Sequence, residues 1–300
     1  MTDIIIIGAG PAGLTAAIYA RRAGKSVLIL EALSYGGMIV NAKEVENYPG
    51  FESISGFDFA TNLYNQVIKL GADIKYEKAF KIEDLGKSKK VVTNDNEYNA
   101  KAVIIATGVQ NRKLGLKNEN ELLGKGVSYC ATCDGAFYKD KVVSVIGGGN
   151  TAVGDAIYLS EYCKKVYVIY RKDKVRGDKI VVDKLEKKNN VEFIYNATVT
   201  ELIGNDKLEK IEILYNNTDT RKTIKMDGLF VAIGQEPSNS NFEDLIKMDD
   251  KGYIIGDDGC HTNVKGIYVA GDTRVKEVRQ LTTATSDGTI AALNAIKEMD

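Results

Sequence analysis

At 300 residues, 44% hydrophobic and 27% charged, the chain has the composition of an ordinary globular protein long enough for two domains. Its 40 Lys and Arg against 41 Asp and Glu leave no bulk field for nucleic acid or an anionic membrane, and no stretch approaches the length of a membrane span. Four cysteines are too few for a secreted disulfide scaffold, and the first residues lack the basic region and apolar run of a signal peptide. A cytoplasmic protein is expected, whose disulfide chemistry is catalytic rather than structural.

Residues 4 to 7 are four isoleucines, followed by Gly8-Ala9-Gly10-Pro11-Ala12-Gly13 and an Ala-rich run to Arg22. An apolar β-branched strand, a GxGxxG turn and a helix start form the dinucleotide-binding fingerprint in its required context. Phosphates are expected at the helix N-terminus, where unpaired N–H groups and the helix dipole favour anions. A second strand, Ser26 to Leu30, ends at Glu31, whose carboxylate can accept from both hydroxyls of an adenosine ribose. The stretch from Tyr35 to Gly50 is irregular and reads as surface loop on its own. A helix is expected from Gly56 to Leu70, then Ile74 to Tyr76, a charged hairpin region near Lys87 to Asn96, and an apolar strand from Ala102 to Gly108.

The middle of the chain carries Cys130-Ala131-Thr132-Cys133-Asp134. Two cysteines at this spacing can close a small disulfide ring, and a thiol in such a motif can ionise near or below pH 7. Structural zinc is the alternative, but it needs four ligands. Only Cys163, Cys260 and His261 remain to supply them, and the adjacent Cys260 and His261 are poorly placed to share one ion. A pair of inert core thiols is the third reading. The motif's neighbours favour redox chemistry, and Cys163 and Cys260 read as packing thiols.

A shift of 139 positions superposes Gly8 on Gly147, Gly10 on Gly149, Gly13 on Ala152 and Val27 on Val166 without a gap, so the chain carries two copies of one nucleotide-binding unit. The copies differ where the second strand ends. In place of Glu31 stands Tyr170, followed by Arg171, Lys172 and, after a short turn, Arg176. This reversal of charge points to NADP rather than NAD, with a solvated basic loop as the alternative. Beyond it lie Val191 to Tyr195, a hairpin-like Leu208 to Lys225, and the strand Gly228 to Gly234. The last third adds Gly266 to Asp272, Arg279-Gln280 and a terminal helix. One nucleotide unit is thus inserted into another, and the CxxC rides on the insert.

Gly8 to Gly13, Cys130 to Asp134, Gly147 to Ala152, and Gly271-Asp272 with Arg279-Gln280 occur in the order and spacing of the low-molecular-weight thioredoxin reductases of bacteria, which the whole chain resembles. The resemblance implies an α/β fold of two Rossmann-like, three-layer ββα domains, the second inserted into the first. Residues 1–112 and 241–300 would bind FAD, and residues 113–240 would bind NADPH and carry the redox pair. FAD would be held by Gly8, Gly10, Pro11, Ala12, Gly13 and Glu31, by Gly36, Gly37, Met38 and Asn47, and by Gly271, Asp272, Arg279 and Gln280. NADPH would be held by Gly147, Gly149, Asn150, Thr151 and Ala152 together with Arg171, Lys172 and Arg176.

The resemblance further implies a homodimer whose protein substrate is thioredoxin. Electrons would pass from NADPH through the flavin to the Cys130/Cys133 disulfide. Cys133 would face the flavin, Cys130 would attack the partner and Asp134 would serve as acid or base. Since nicotinamide and disulfide share the insert, it would have to rotate, with hinges expected at Gln110 to Gly115 and Gln235 to Ser240. Three departures stand out: Met38 where glutamine is usual, Tyr170-Arg171-Lys172 in place of His-Arg-Arg, and Gly177 in place of alanine. They suggest a softer NADPH preference. Rival readings are a peroxiredoxin-type reductase, which usually has an extra N-terminal domain, a ferredoxin-driven flavin thioredoxin reductase, and a flavin-bound thiol redox sensor.

Overall fold

The computed structural model describes residues 1–42 and 44–299. Lys43, inside the irregular stretch 35–50, and Asp300, the last residue of the expected FAD-binding domain, lie outside the described residues. In chain order the outer unit begins with β1 (Thr2–Ile7), α1 (Pro11–Arg22), β2 (Val27–Leu30), a 3-10 turn (Gly37–Asn41) and α2 (Gly56–Lys69). It continues with β3 (Asp73–Lys75), β4 (Ala79–Asp84), β5 (Lys89–Thr93), β6 (Glu97–Ile105) and β7 (Val109–Asn111). The insert holds β8 (Val127–Ser128), α3 (Ala131–Asp134), β9 (Val142–Ile146), α4 (Asn150–Ser160), β10 (Lys165–Tyr170), α5 (Lys179–Glu186) and β11 (Val191–Tyr195). Next come β12 (Ala197–Ile203), β13 (Lys210–Tyr215), β14 (Thr220–Lys225) and β15 (Gly228–Val231). The chain then returns through β16 (Gln235–Pro237) to β17 (Ile267–Val269) and α6 (Leu281–Met299).

Two compact units result, Met1–Gln110 with Glu236–Asp300, and Asn111–Gln235. They divide slightly ahead of the boundaries expected at 112 and 240. The two connections pair with each other as the short ladder of β7 and β16.

Each unit is a three-layer stack. In the outer unit β3, β2, β1, β6 and β17 pair in parallel, while the first half of β6 pairs antiparallel with β5, and β5 with β4. β6 therefore starts at Glu97 rather than at the expected Ala102, because its first residues belong to the hairpin layer. Side chains alternate along β1: Ile4 and Ile6 pack with α1 and α6, whereas Ile5 and Ile7 pack with the hairpin layer. That is why four consecutive isoleucines are all buried, each worth about 1.5–3 kcal/mol against exposure.

The insert repeats the plan. A parallel sheet, β11-β10-β9-β15-β8, has α3, α4 and α5 on one face, and the antiparallel β12-β13-β14 packs on the other. β12 was not among the expected elements. Its alternating exposure is interrupted by an irregularity between Val199 and Glu201, which blurs the period of two.

Candidate active site

In the outer unit the chain leaves β1 through Gly8, whose φ is +107°. A Cβ there would lie 2.3 Å from the carbonyl oxygen of Ala106. A Cβ on Gly13 would meet the carbonyl oxygen of Gly8 at 2.0 Å, so only glycine lets α1 start this close to the strand. Gly10 flanks the helix start and Pro11 sits in its first turn, where the absent N–H costs nothing. The space beside Gly10 is open, its nearest neighbour being the Cα of Gly37, 4.0 Å from where a Cβ would stand. Gly36 and Gly37, both at positive φ, border the same loop, and the amide of Gly36 donates to the Ala9 carbonyl at 2.8 Å. Glu31 is already engaged: its two oxygens accept from the amides of Ala9 and Leu33, each at 2.8 Å.

Two distant segments complete this end of the sheet. Gly271 follows β17 at φ +81° and packs on Ala12, and Asp272 comes next. One carboxylate oxygen of Asp272, Oδ1, is buried with no hydrogen-bond partner. Burial pushes its pKa up, with Lys276 and Arg279 pulling the other way. Arg279 donates to the carbonyls of Asp272 and Arg274 and lies over the Tyr253 ring at 4.1 Å. Asn47 donates to the side-chain oxygen of Gln280 at 3.3 Å. The half-exposed Met38 lies in the 3-10 turn beside Gly37.

In the insert, Gly147 at φ +146° and the fully buried Ala152 make the corresponding turn into α4. Beside Gly149 nothing lies within 4 Å of where a Cβ would stand. Thr151 is exposed in the first turn of α4. The side-chain oxygen of Asn150 accepts from the amide of Asp178 at 2.7 Å, and the Arg176 amide donates to the Gly148 carbonyl at 2.6 Å. Arg176 is thereby tied to the glycine loop. Arg171, Lys172 and Arg176 are exposed cations. Tyr170 is buried, with its ring lying where a side chain on Gly148 would go. Gly177, where the family usually has alanine, has no room for one: a Cβ would meet Val153 at 2.7 Å.

Cys130 and Cys133 form a disulfide at the start of α3. The Cys130 sulfur accepts from the Cys133 amide at 3.2 Å. Asp134 is held by a residue whose role sequence reasoning missed: the buried Ser128 donates to Asp134 Oδ2 at 2.6 Å and accepts from the Cys130 amide at 3.0 Å. Glu119 was missed entirely. It is 3% exposed, accepts the amides of Leu114 and Gly115 at 2.9 and 2.8 Å, and accepts the Tyr129 hydroxyl. Burial first, then Glu119, pushes the Tyr129 hydroxyl well above its usual range. A Glu five residues past Leu114 carries no local signal of this contact.

The other thiols are poor nucleophiles. Burial pushes Cys163 up to about 11 and Cys260 up to about 12. His261 sits in the outer unit between Asp257 and Glu298, each 3.0 Å away.

These residues fit the two nucleotide cofactors. Open backbone at Gly10 and Gly149 allows close approach of a pyrophosphate, and the unpartnered Asp272 oxygen calls for a hydroxyl. Paired nucleotide units with a CxxC disulfide on one of them define a disulfide oxidoreductase driven by a pyridine nucleotide. The chain belongs to that family: the pyridine nucleotide-disulphide oxidoreductase model matches residues 2–288.

Among its relatives are thioredoxin reductases. That of Listeria monocytogenes is 44% identical over 299 residues, covering 99% of this chain and 94% of the relative. That of Bacillus subtilis is 44% identical over 292 residues, covering 97% and 92%. The crystal structure of Lactococcus lactis thioredoxin reductase in its FR conformation matches 100% of this chain and 99% of that one, with a TM-score of 0.85 at 39% identity. The chain is therefore an oxidoreductase of the thioredoxin reductase type, a flavoprotein with FAD and NADPH as its cofactors.

Proposed function

We propose that the outer unit binds FAD, that the insert binds NADPH, and that the Cys130/Cys133 pair delivers electrons to thioredoxin. The observation that carries this reading is the disulfide at the head of α3, on the same unit as the Gly147 to Ala152 loop and the basic residues after β10. When bound, FAD supplies the two-electron relay by which NADPH opens that disulfide.

The remaining steps are thiol chemistry of this chain. One reduced cysteine, Cys130 in our reading, attacks a sulfur of the partner's disulfide as a thiolate. A mixed disulfide forms and one partner thiolate leaves. Cys133 then attacks the Cys130 sulfur, closing the internal disulfide and releasing the second partner thiolate, so the partner gains two electrons and two protons. Asp134 is the acid or base. Because Ser128 donates to its Oδ2, Oδ1 remains to hold the moving proton.

In the outer unit Gly8, Gly10, Pro11, Ala12 and Gly13 would cradle the FAD pyrophosphate, with Gly36, Gly37 and Met38 alongside and Glu31 at the adenosine ribose. Gly271 and Asp272 would meet the ribitol end, and Asn47, Arg279 and Gln280 the flavin end. In the insert Gly147, Gly149, Asn150, Thr151 and Ala152 would cradle the NADPH pyrophosphate, with Arg171, Lys172 and Arg176 reading the 2′-phosphate. Lys172 is a point charge where arginine would be a fork, which weakens the preference for NADPH over NADH.

Disulfide and nicotinamide loop share one compact unit, and each must in turn reach the flavin. The insert therefore turns between half-reactions about Gln110 to Gly115 and Gln235 to Ser240. Turnover unaffected by a cross-link between these connections would sink that hinge. We further propose a cytoplasmic homodimer. Among the described residues no helix is long and apolar enough to cross a membrane. The outer unit also offers a groove of about 700 Å³ lined by residues of α1, α2 and α6, including Tyr19, Gln66 and Thr289. Sedimentation at a monomer mass would refute the dimer.

Anaerobic titration of the yellow protein with NADPH and with NADH tests the central reading. We expect fast flavin bleaching by NADPH and release of thiols when thioredoxin is present. If neither nucleotide bleached the flavin while dithionite still drove thiol release, the insert would not be a working nucleotide site, and the ferredoxin-driven alternative would replace ours.

A further inference from the structure

The Asp272 carboxylate feels two cations, Lys276 and Arg279, yet its Oδ1 bonds to neither. Both are near enough to lower its pKa, yet that oxygen is buried without a partner. The reason lies in where those cations are held. Arg279 is taken up by two backbone carbonyls and the Tyr253 ring. Lys276, 9% exposed at its side chain, donates to Oδ2 of Asp287 at 2.8 Å.

Asp287 lies on α6 and is 4% exposed. Its Oδ2 also accepts the Gly271 amide at 3.1 Å and Arg274 Nε at 3.4 Å, and its Oδ1 accepts Arg274 Nη2 at 3.1 Å. One buried carboxylate thus fixes the turn that bears Asp272 and gathers two cations of the following loop. A buried lysine released from Asp287 would take the nearest free carboxylate, since an uncompensated ion in this setting is strongly disfavoured.

We infer that Asp287 is a positioning residue which keeps Lys276 away from Asp272, leaving the Asp272 carboxylate free for a hydroxyl of FAD. The inference rests on the outer unit being the FAD unit. It goes further in assigning to a residue on α6, outside the FAD contacts proposed above, the availability of one inside them. Asp272 is held open by a competing acceptor, and it makes its missing hydrogen bond only when the cofactor is bound.

The test is a cycle of variants read by FAD affinity, measured from the flavin fluorescence that appears as each holoenzyme is serially diluted. Asp287→Asn keeps an acceptor for Gly271 but releases Lys276. FAD affinity should fall by about ten-fold or more, the loss of one hydrogen bond to an ionised acceptor. Lys276→Met removes the competitor while filling its space, so the double variant Asp287→Asn/Lys276→Met should regain affinity to within about three-fold of wild type, within the error of additivity. Lys276→Met alone should match wild type. An Asp287→Asn protein that holds FAD as tightly as wild type overturns the inference. So does a double variant that loses FAD as readily as the single one or fails to fold, because Asp287 would then be supporting structure only. Wild-type protein that binds no FAD would overturn the assignment of the unit instead.

Discussion

The two nucleotide units use one position pair in opposite ways. In the outer unit the residue ending the second strand, Glu31, accepts the amide of Ala9 in the glycine loop. At the matching positions of the insert, Tyr170 presents a buried ring against Gly148, and three exposed cations, Arg171, Lys172 and Arg176, follow it along the chain. Both loops are braced from the same place, one by a carboxylate and the other by an aromatic ring. In our reading a carboxylate brace would repel a 2′-phosphate, whereas the ring leaves the neighbourhood to Arg171, Lys172 and Arg176. Cofactor choice in a duplicated fold can therefore rest on how the loop is propped.

The largest expected effect tests which unit does the chemistry. Cys130→Ser or Cys133→Ser should abolish thioredoxin reduction while FAD remains bound, so an absorbance spectrum still showing flavin beside lost thiol release is the expected result. Next, Tyr170→Glu brings the outer unit's carboxylate into the insert. Unit charges about 4 Å apart at an effective dielectric near 20 interact by roughly 4 kcal/mol before desolvation, an upper bound here. The KM for NADPH should rise ten- to a hundred-fold, roughly, with that for NADH nearly unchanged. Equal losses for both would mean that the ring, rather than the charge, matters.

A smaller effect is expected at Glu119. Glu119→Gln weakens the brace between Tyr129 and the connection at Leu114 and Gly115, so turnover should drop by several-fold while single-turnover opening of the disulfide by dithionite is unchanged. Smaller still is a pH effect in α4. Burial pushes Asp155 up to about 6. Its folded pKa lies above the unfolded value near 4, so the folded state binds the extra proton and stability falls as pH rises from about 4 to 6. Asp155→Asn should flatten that part of the urea-stability profile and gain up to about 3 kcal/mol at pH 7. Cys163→Ser and Cys260→Ser should change activity least, each costing some stability only.

Much of this was legible from local pattern. The isoleucines of β1, the glycines of both loops and the CxxC are constrained within a few residues, by strand burial, by turns that exclude a Cβ and by ring closure of a disulfide. The Gly8 and Gly13 clashes with backbone oxygens show why those positions admit nothing else. Asn47 with Gln280, Glu119 with Tyr129, and Asp287 with Lys276 left no such trace, since each joins ordinary polar residues across loops that any solvated segment could contain.

The sequence by itself determined the duplication, the insertion and the redox pair, because glycine conformation, β-branched burial and cysteine spacing act within a turn or a strand. Only the tertiary structure decided which polar groups are spent and which are left over. Glu31 is taken by backbone amides, Ser128 holds Asp134, and Asp272 keeps an unpaired oxygen because Asp287 holds the nearby lysine. That allocation depends on which donors reach a buried acceptor first in space, and no spacing along the chain encodes it.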